Sequence, residues 1–378
     1  MNKTDLPPLR QLGLVINPIA GMGGPCGQKG TDGADAVIRA RAIDVPPLSA
    51  ARAGRALRLL QPMADRISIV AAAGGMGADL ACSLGFTVSG IGRRKTVTGA
   101  DDTRAAAAAI ADCGVDLLMF AGGDGTARDV FDAAPETPML GIPAGVKMHS
   151  AVFAASADAA GHMAARVLAD PPAARWRPAE IMDISEAELR RGCMAAQLYG
   201  FARAPVERLL MQNCKARSGN EDGPALQALA NCVVREMDPR RIYLLGCGET
   251  MRLIKRKLGG EGTLLGVDAA LGGRLIATDQ DEARLLELTD GVPAGVIVSV
   301  TGGQGFIFGR GNQQISARLL ARIGRENIMI ITGQNKLTGL DPPFLRVDTG
   351  DPAVDAMLAG YMRVQTAPGR SMMMRVAA

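Results

Sequence analysis

Three apolar runs in the first third of the chain end directly in glycine-rich turns, and this pattern constrains the fold most. Leu12–Asn17 leads into a loop from Pro18 to Gly33, and Ile67–Ala73 into Gly74-Gly75-Met76-Gly77. Asp116–Ala121 leads into Gly122-Gly123-Asp124-Gly125-Thr126. Runs this short and this uniformly apolar read as strands buried on both faces. Helical patterns lie between and after them at Arg52–Met63, Asp101–Cys113 and 127–134, with further strand candidates at Phe86–Ile91 and Met139–Ile142. The alternation implies an α/β fold with a parallel sheet covered on both faces. In such sheets, the loops after the carboxyl ends of strands hold ligands.

A helix expected over Ser150–Leu168 runs to a break at Asp170-Pro171-Pro172, which divides the chain into a domain at 1–169 and another at 170–378. The second domain reads as α/β or α+β. Its strand candidates are Glu180–Asp183, Met194–Gly200, Ile242–Leu245, Thr263–Val267, Gly295–Val300 and Asn327–Thr332. A helix at Thr250–Leu258 carries Arg252, Lys255, Arg256 and Lys257, expected to form a solvated basic face.

Composition narrows the function. The chain of 378 residues has a net charge of +4 from 42 basic and 38 acidic residues, well mixed, which gives no footprint for nucleic acid. Only 3% of residues are aromatic, too few for base stacking on any scale, and two histidines exclude a multi-histidine metal centre. Seven cysteines without a CxxC pair read as reduced thiols, which points to the cytoplasm. Met1–Arg10 has charges and two prolines, without the apolar core of a signal peptide, and no apolar run is long enough for a bilayer. Oligomeric state is left open.

Gly122-Gly123-Asp124-Gly125-Thr126 is the most informative segment. Glycines admit a bulky ligand close to the backbone, and free N–H groups at a helix start make an anion site. A carboxylate inside a phosphate cradle is electrostatically costly unless it does chemistry there. It could accept a proton from a hydroxyl nucleophile, or help to hold Mg²⁺. The alternative is a tight strand-to-helix turn capped by Asp124. Behind the Gly141–Gly145 turn, Lys147 is a candidate phosphate neutraliser, and His149 and Ser150 are candidate acceptor contacts. In Gly309-Arg310-Gly311-Asn312-Gln313-Gln314, Arg310 suits phosphate or carboxylate, and Asn312 and Gln313 suit amide or base edges. Lys29 and Asp32 in the first loop join this acceptor-binding set.

With Asn17-Pro18-Ile19-Ala20-Gly21 on the first loop, the strand and GGDGT segment resemble the superfamily of NAD kinases, diacylglycerol kinases and sphingosine kinases. The nearer likeness is to the ATP-NAD kinase-like family, in the branch of the acetoin-catabolism protein X. It extends through Lys29–Gly33, Gly141–Ser150, Thr263–Asp268, Gly303–Gly305 with Gly309–Gln314, and Arg346–Asp351. The resemblance implies a nucleotide-binding N-terminal domain, a C-terminal substrate domain and an active site in the cleft between them. It implies ATP or polyphosphate as donor, with Mg²⁺, and a small-molecule hydroxyl as acceptor, NAD(H) by default. Asp124 would be the base. Asn17, Gly21, Gly122, Gly123, Gly125, Thr126 and Lys147 would contact nucleotide and phosphate.

Two acceptor motifs of NAD kinases are missing. Asn220-Glu221 sits in a polar loop, and Thr301–Gly305 is a loose echo of the family's TPTGSTAY-like segment. A nucleoside, sugar or polyol therefore stays open as acceptor, as does a non-catalytic nucleotide-binding regulator. A lipid kinase is disfavoured, because no exposed apolar or polybasic membrane segment is evident. Another departure is Gly246-Cys247-Gly248-Glu249-Thr250, where Glu249 replaces an expected small hydroxyl.

Overall fold

The computed structural model describes residues 9–24, 48–146, 148–184, 196–207, 209–212 and 223–378. Described residues up to 21 and from 48 to 212 cluster into one compact unit, and those at 22–24 and from 223 onward into a second.

In the first unit, β1 (Arg10–Ile16), β2 (Ile67–Ala72), β3 (Thr87–Ile91), β4 (Leu117–Gly122) and β5 (Met139–Pro143) alternate with helices. These are α1 (Leu48–Arg58), α2 (Ala78–Ser83), α3 (Ala100–Asp112), α4 (Asp124–Ala133) and α5 (Ala157–Ala169). The sheet is parallel throughout, in the order β3-β2-β1-β4-β5. Helices on both faces leave no wet side for the central strands, so all six residues of β4 are buried. The order reverses between β1 and β4, and the loops beyond their carboxyl ends carry Asn17 and Gly122–Thr126. This is the switch point at which open α/β sheets take ligands.

Two expectations differ here. The helix expected from Ser150 begins at Ala157, with the Ser156 hydroxyl accepting from the Ala159 amide. The residues before it are drawn into tertiary pairing, Phe153 bridging to Gly141 and Ala154 to Met211. The break at Asp170–Pro172, expected to part the domains, is followed by an antiparallel hairpin of β6 (Trp176–Ile184) and β7 (Ala196–Pro205). Its inward face buries Ala179, Ile181, Ala202 and Ala204, and β6 packs on α4, so the first unit continues through it.

The second unit holds a nine-stranded mixed sheet. Its strands are β8 (Ile242–Leu245), β9 (Val267–Leu271), β10 (Arg274–Gln280), β11 (Ala294–Val298), β12 (Phe306–Phe308), β13 (Ile328–Ile331), β14 (Leu345–Val347), β15 (Gly360–Ala367) and β16 (Arg370–Ala377). The order is β10-β9-β8-β11-β13-β15-β16-β14-β12. Helices α6 (Gly223–Glu236) and α7 (Glu249–Lys257) pack together. No described helix is long and apolar enough to cross a membrane.

The basic face expected on α7 breaks at Lys255, which is fully buried. Its Nζ lies 3.2 Å from Asp268 Oδ2, with neither side chain exposed. It also donates to the carbonyls of Thr263 (2.8 Å) and Gly266 (3.0 Å). Asp268 accepts from the Thr263 amide (2.8 Å), the Thr263 hydroxyl (2.6 Å) and the Asp279 amide (2.8 Å). This cluster explains why Thr263–Gly266, expected as strand, is a turn ahead of β9. Burial pulls the Lys255 ammonium below its ordinary pKa, and Asp268 opposes that pull.

Candidate active site

Three turns of the first unit converge with almost no side-chain volume between them. At the end of β4, a Cβ on Gly122 would collide with the Thr126 side chain, so glycine lets the first turn of α4 fold back on the strand. Gly123, the N-cap of α4, faces Gly145, where a Cβ would lie 2.7 Å from the Gly123 Cα. Gly21 has φ +85 and a Cβ there would strike the Ala144 carbonyl, so this position requires glycine twice over. Gly145→Ala should cost about 1–3 kcal/mol through forced backbone displacement. Urea unfolding at unchanged midpoint would contradict that close approach.

Asn17 ties the first turn to the second. Its amide nitrogen donates to the Thr126 hydroxyl at 2.9 Å, its backbone N–H donates to Ala121 O at 3.0 Å, and its Oδ1 accepts from the Ile19 amide at 3.2 Å. Asp124, the first residue of α4, ties the second turn to the third. Oδ2 accepts from the His149 amide (2.8 Å), and Oδ1 accepts from both the amide (3.0 Å) and hydroxyl (2.6 Å) of Ser150. Asp124 therefore orders the turn that follows β5. A carboxylate there also complements the positive end of the helix dipole.

Ser150 is fully buried, and its hydroxyl accepts from the Met182 amide of β6 at 2.9 Å. Ser150→Ala removes one donor from Asp124 and leaves that amide without this acceptor. The expected loss is about 1–3 kcal/mol of stability. A thermal melt that does not move would show the bond to be dispensable.

Two contributors carry no motif. Arg52 of α1, 6% exposed, donates Nη1 to Pro143 O at 2.8 Å. Gln212 donates to the carbonyls of Met148 (3.2 Å) and Ser150 (3.3 Å). Arg52 is a charged residue on the buried side of α1, four residues before Ala56, and Gln212 follows a hairpin remote in sequence, so neither belongs to a glycine-turn motif.

The structure thus gathers Asn17, Gly21, Gly122, Gly123, Asp124, Gly125, Thr126, His149 and Ser150 in one unit. Lys29, Asp32 and Lys147 lie outside the described residues. Arg310, Asn312 and Gln313 belong to the second unit, where each has intramolecular partners. Arg310 is 6% exposed and donates to Asp348 Oδ2 at 2.7 Å, with its guanidinium 4.4 Å from the Phe306 ring centroid. Asn312 accepts from the Gly309 amide (3.2 Å) and donates to Ile307 O (2.8 Å), and Gln313 donates to Gly309 O (3.3 Å). These bonds close the turn after β12 on itself and onto the end of β14. Burial, with Arg310 beside it, lowers the Arg346 guanidinium to about 10.

At the start of α7, Glu249 pairs with Arg252 at 2.9 Å, so this helix end carries its own anion. Cys247 Sγ donates to Gly311 O at 3.1 Å. Among the described residues, no group of three or more His, Cys, Asp or Glu side chains is arranged to hold a metal ion.

A parallel sheet with a glycine-lined, carboxylate-braced loop cluster at its switch point is the arrangement in which open α/β sheets take ligands. Comparison with family models makes this specific. Residues 12–171 match the ATP-NAD kinase N-terminal domain, and residues 241–376 match the ATP-NAD kinase C-terminal domain. The chain belongs to the ATP-NAD kinase family, and its class is that of a kinase. Searches of curated proteins and of solved structures gave no significant match.

Proposed function

We propose that this protein transfers the terminal phosphoryl group of ATP, or of polyphosphate, to a hydroxyl of a small molecule, with NAD(H) the default acceptor. The observation that carries the reading is the meeting of the Asn17–Gly21, Gly122–Thr126 and Gly145–Ser150 turns around one oriented carboxylate. Backbone amides at glycine turns bind phosphate oxygens without steric cost, and Lys147 adds a positive charge. Asp124 takes the proton of the acceptor hydroxyl as its oxygen forms the new bond to phosphorus. The bridging oxygen–phosphorus bond breaks, and ADP leaves with that electron pair. When bound with ATP, Mg²⁺ would offset charge on the phosphates, and Asp124 would be the side chain that helps to hold it. His149 lines the acceptor side, Ser150 holds Asp124 in place from the buried side, and the protein works in the cytoplasm.

The missing NAD kinase acceptor motifs favour testing nucleosides, sugars and polyols beside NAD. A second reading, a nucleotide-binding regulator without turnover, is favoured by one observation: both Asp124 oxygens already accept bonds that organise the loop. Incubation with ATP, Mg²⁺ and a panel of hydroxyl acceptors separates the two. The kinase reading expects one acceptor class to be phosphorylated. The regulator reading expects ATP to raise the melting temperature with every acceptor unchanged.

A further inference from the structure

The second unit carries a groove of about 550 Å³ at the amino ends of its parallel strands. Its lining includes Tyr243 of β8, Met329 of β13, and Tyr361 and Arg363 of β15, with Arg241 and Arg325 from the turns that precede strands. The carboxyl-end turns, where ligands of open α/β sheets usually sit, do not take part.

The groove exists because β13 and β15 part company. They pair only at Ile330↔Val364 and Ile331↔Gln365, and their first halves diverge. Gly360, with φ +102, starts β15 and leaves room for Arg325, whose Nη2 would lie 3.4 Å from a Cβ at that position. Arg325 reaches across and donates to Tyr361 O at 2.8 Å. On β11, Gly295 presents no side chain beside the Tyr243 ring.

Three arginines face one glutamate, Glu326, in this lining. Arg241 is oriented by neutral acceptors, Asn327 Oδ1 at 2.6 Å and Ala294 O at 3.5 Å, and Arg325 likewise by a carbonyl. Neither loses its charge to a carboxylate, and Arg363 is exposed with no ion pair among the described residues. The chain has three tyrosines, and two of them line this groove. Tyr243 is fixed by accepting from the Asp238 amide at 3.0 Å, while Tyr361 is 68% exposed. Forked cations suit phosphate, and tyrosine rings beside a methionine suit a planar apolar group. The volume falls within the range of small-molecule sites.

We propose that this groove is a second ligand site, for a nucleoside phosphate, with the phosphate on Arg325 and Arg363 and the base against Tyr361, Tyr243 and Met329. It does not depend on the phosphotransfer reading of the first unit.

The test uses a Tyr361→Trp chain that also carries Trp176→Phe, so that its sole indole reports from the groove. Titration with ADP should give a saturable emission change, with adenosine and pyrophosphate each binding more weakly. Adding Arg363→Ala should weaken ADP about tenfold, or about 1.4 kcal/mol, without lowering the melting temperature, since Arg363 is exposed. Equilibrium dialysis of the native chain against its Arg363→Glu variant gives a second measurement that leaves Tyr361 intact. The variant should bind one ADP fewer per chain. An emission trace that never saturates, an ADP curve indifferent to Arg363→Ala together with unchanged dialysis stoichiometry, or pyrophosphate binding as tightly as ADP would each overturn the proposal. If phosphotransfer itself fails, the reporter signal should persist, so the two failures are distinguishable.

Discussion

Asparagine in place of Asp124 should lower phosphoryl transfer by about 10²–10⁴-fold, the usual contribution of a positioned general base. It should also soften the turn it braces. The carboxylate accepts from two amides and a hydroxyl, whereas a carboxamide offers one oxygen and turns an NH₂ group toward a donor. Losing charge-assisted bonds of this kind is expected to cost about 1–3 kcal/mol. The two effects are separable with Ser150→Ala, which loosens the same turn and keeps the carboxylate. If Asp124 is the base, Ser150→Ala retains most of kcat at a temperature where both variants are folded, and Asp124→Asn does not. Equal losses in kcat for the two variants would reduce Asp124 to a positioning residue.

Alanine at Asp268 should destabilise the second unit by about 3–5 kcal/mol, because it strands a buried ammonium. Lys255 and Asp268 are both fully buried, and the pair closes the turn between α7 and β9. The deficit should depend on pH with a definite sign. Burial already holds the Lys255 pKa below its unfolded value, and removing Asp268 takes away an opposing effect. Between the folded pKa and the unfolded value of about 10.4, the unfolded chain binds more protons, so stability of the Asp268→Ala protein rises with pH over that window. Urea unfolding of wild type and variant at neutral and alkaline pH measures this. A deficit that does not shrink toward pH 10 would show that the cost lies in the lost Thr263 and Asp279 bonds, not in the charge. Lys255→Met combined with Asp268→Asn should recover part of the loss, because no charge is then stranded.

The βα rhythm and the loop cluster were legible in the sequence because both are written locally. Apolar runs mark buried parallel strands, and glycines mark where backbones must approach, as Gly123 and Gly145 do. What escaped depends on contacts distant along the chain. Ser150 has a sequence that could continue as helix, yet Asp124 and Met182 hold it outside one, and α5 starts later. Arg310, Asn312 and Gln313 look like ligand contacts because forked and amide groups serve either purpose. Only the proximity of Asp348 and of carbonyls on the same turn shows that they are engaged within the fold. Lys255 had a readable signal. It lies four residues after Met251 and next to Ile254, on the buried side of α7.

The most direct test of the central claim is the stoichiometry of phosphoryl transfer. The protein is incubated with ATP labelled in its terminal phosphate, Mg²⁺, and NAD or another hydroxyl acceptor, and ADP and labelled acceptor are counted together. Equal amounts of the two are expected from the native chain and almost none from Asp124→Asn. ATP that binds and protects the native chain from unfolding, with no label reaching any acceptor, would contradict that claim.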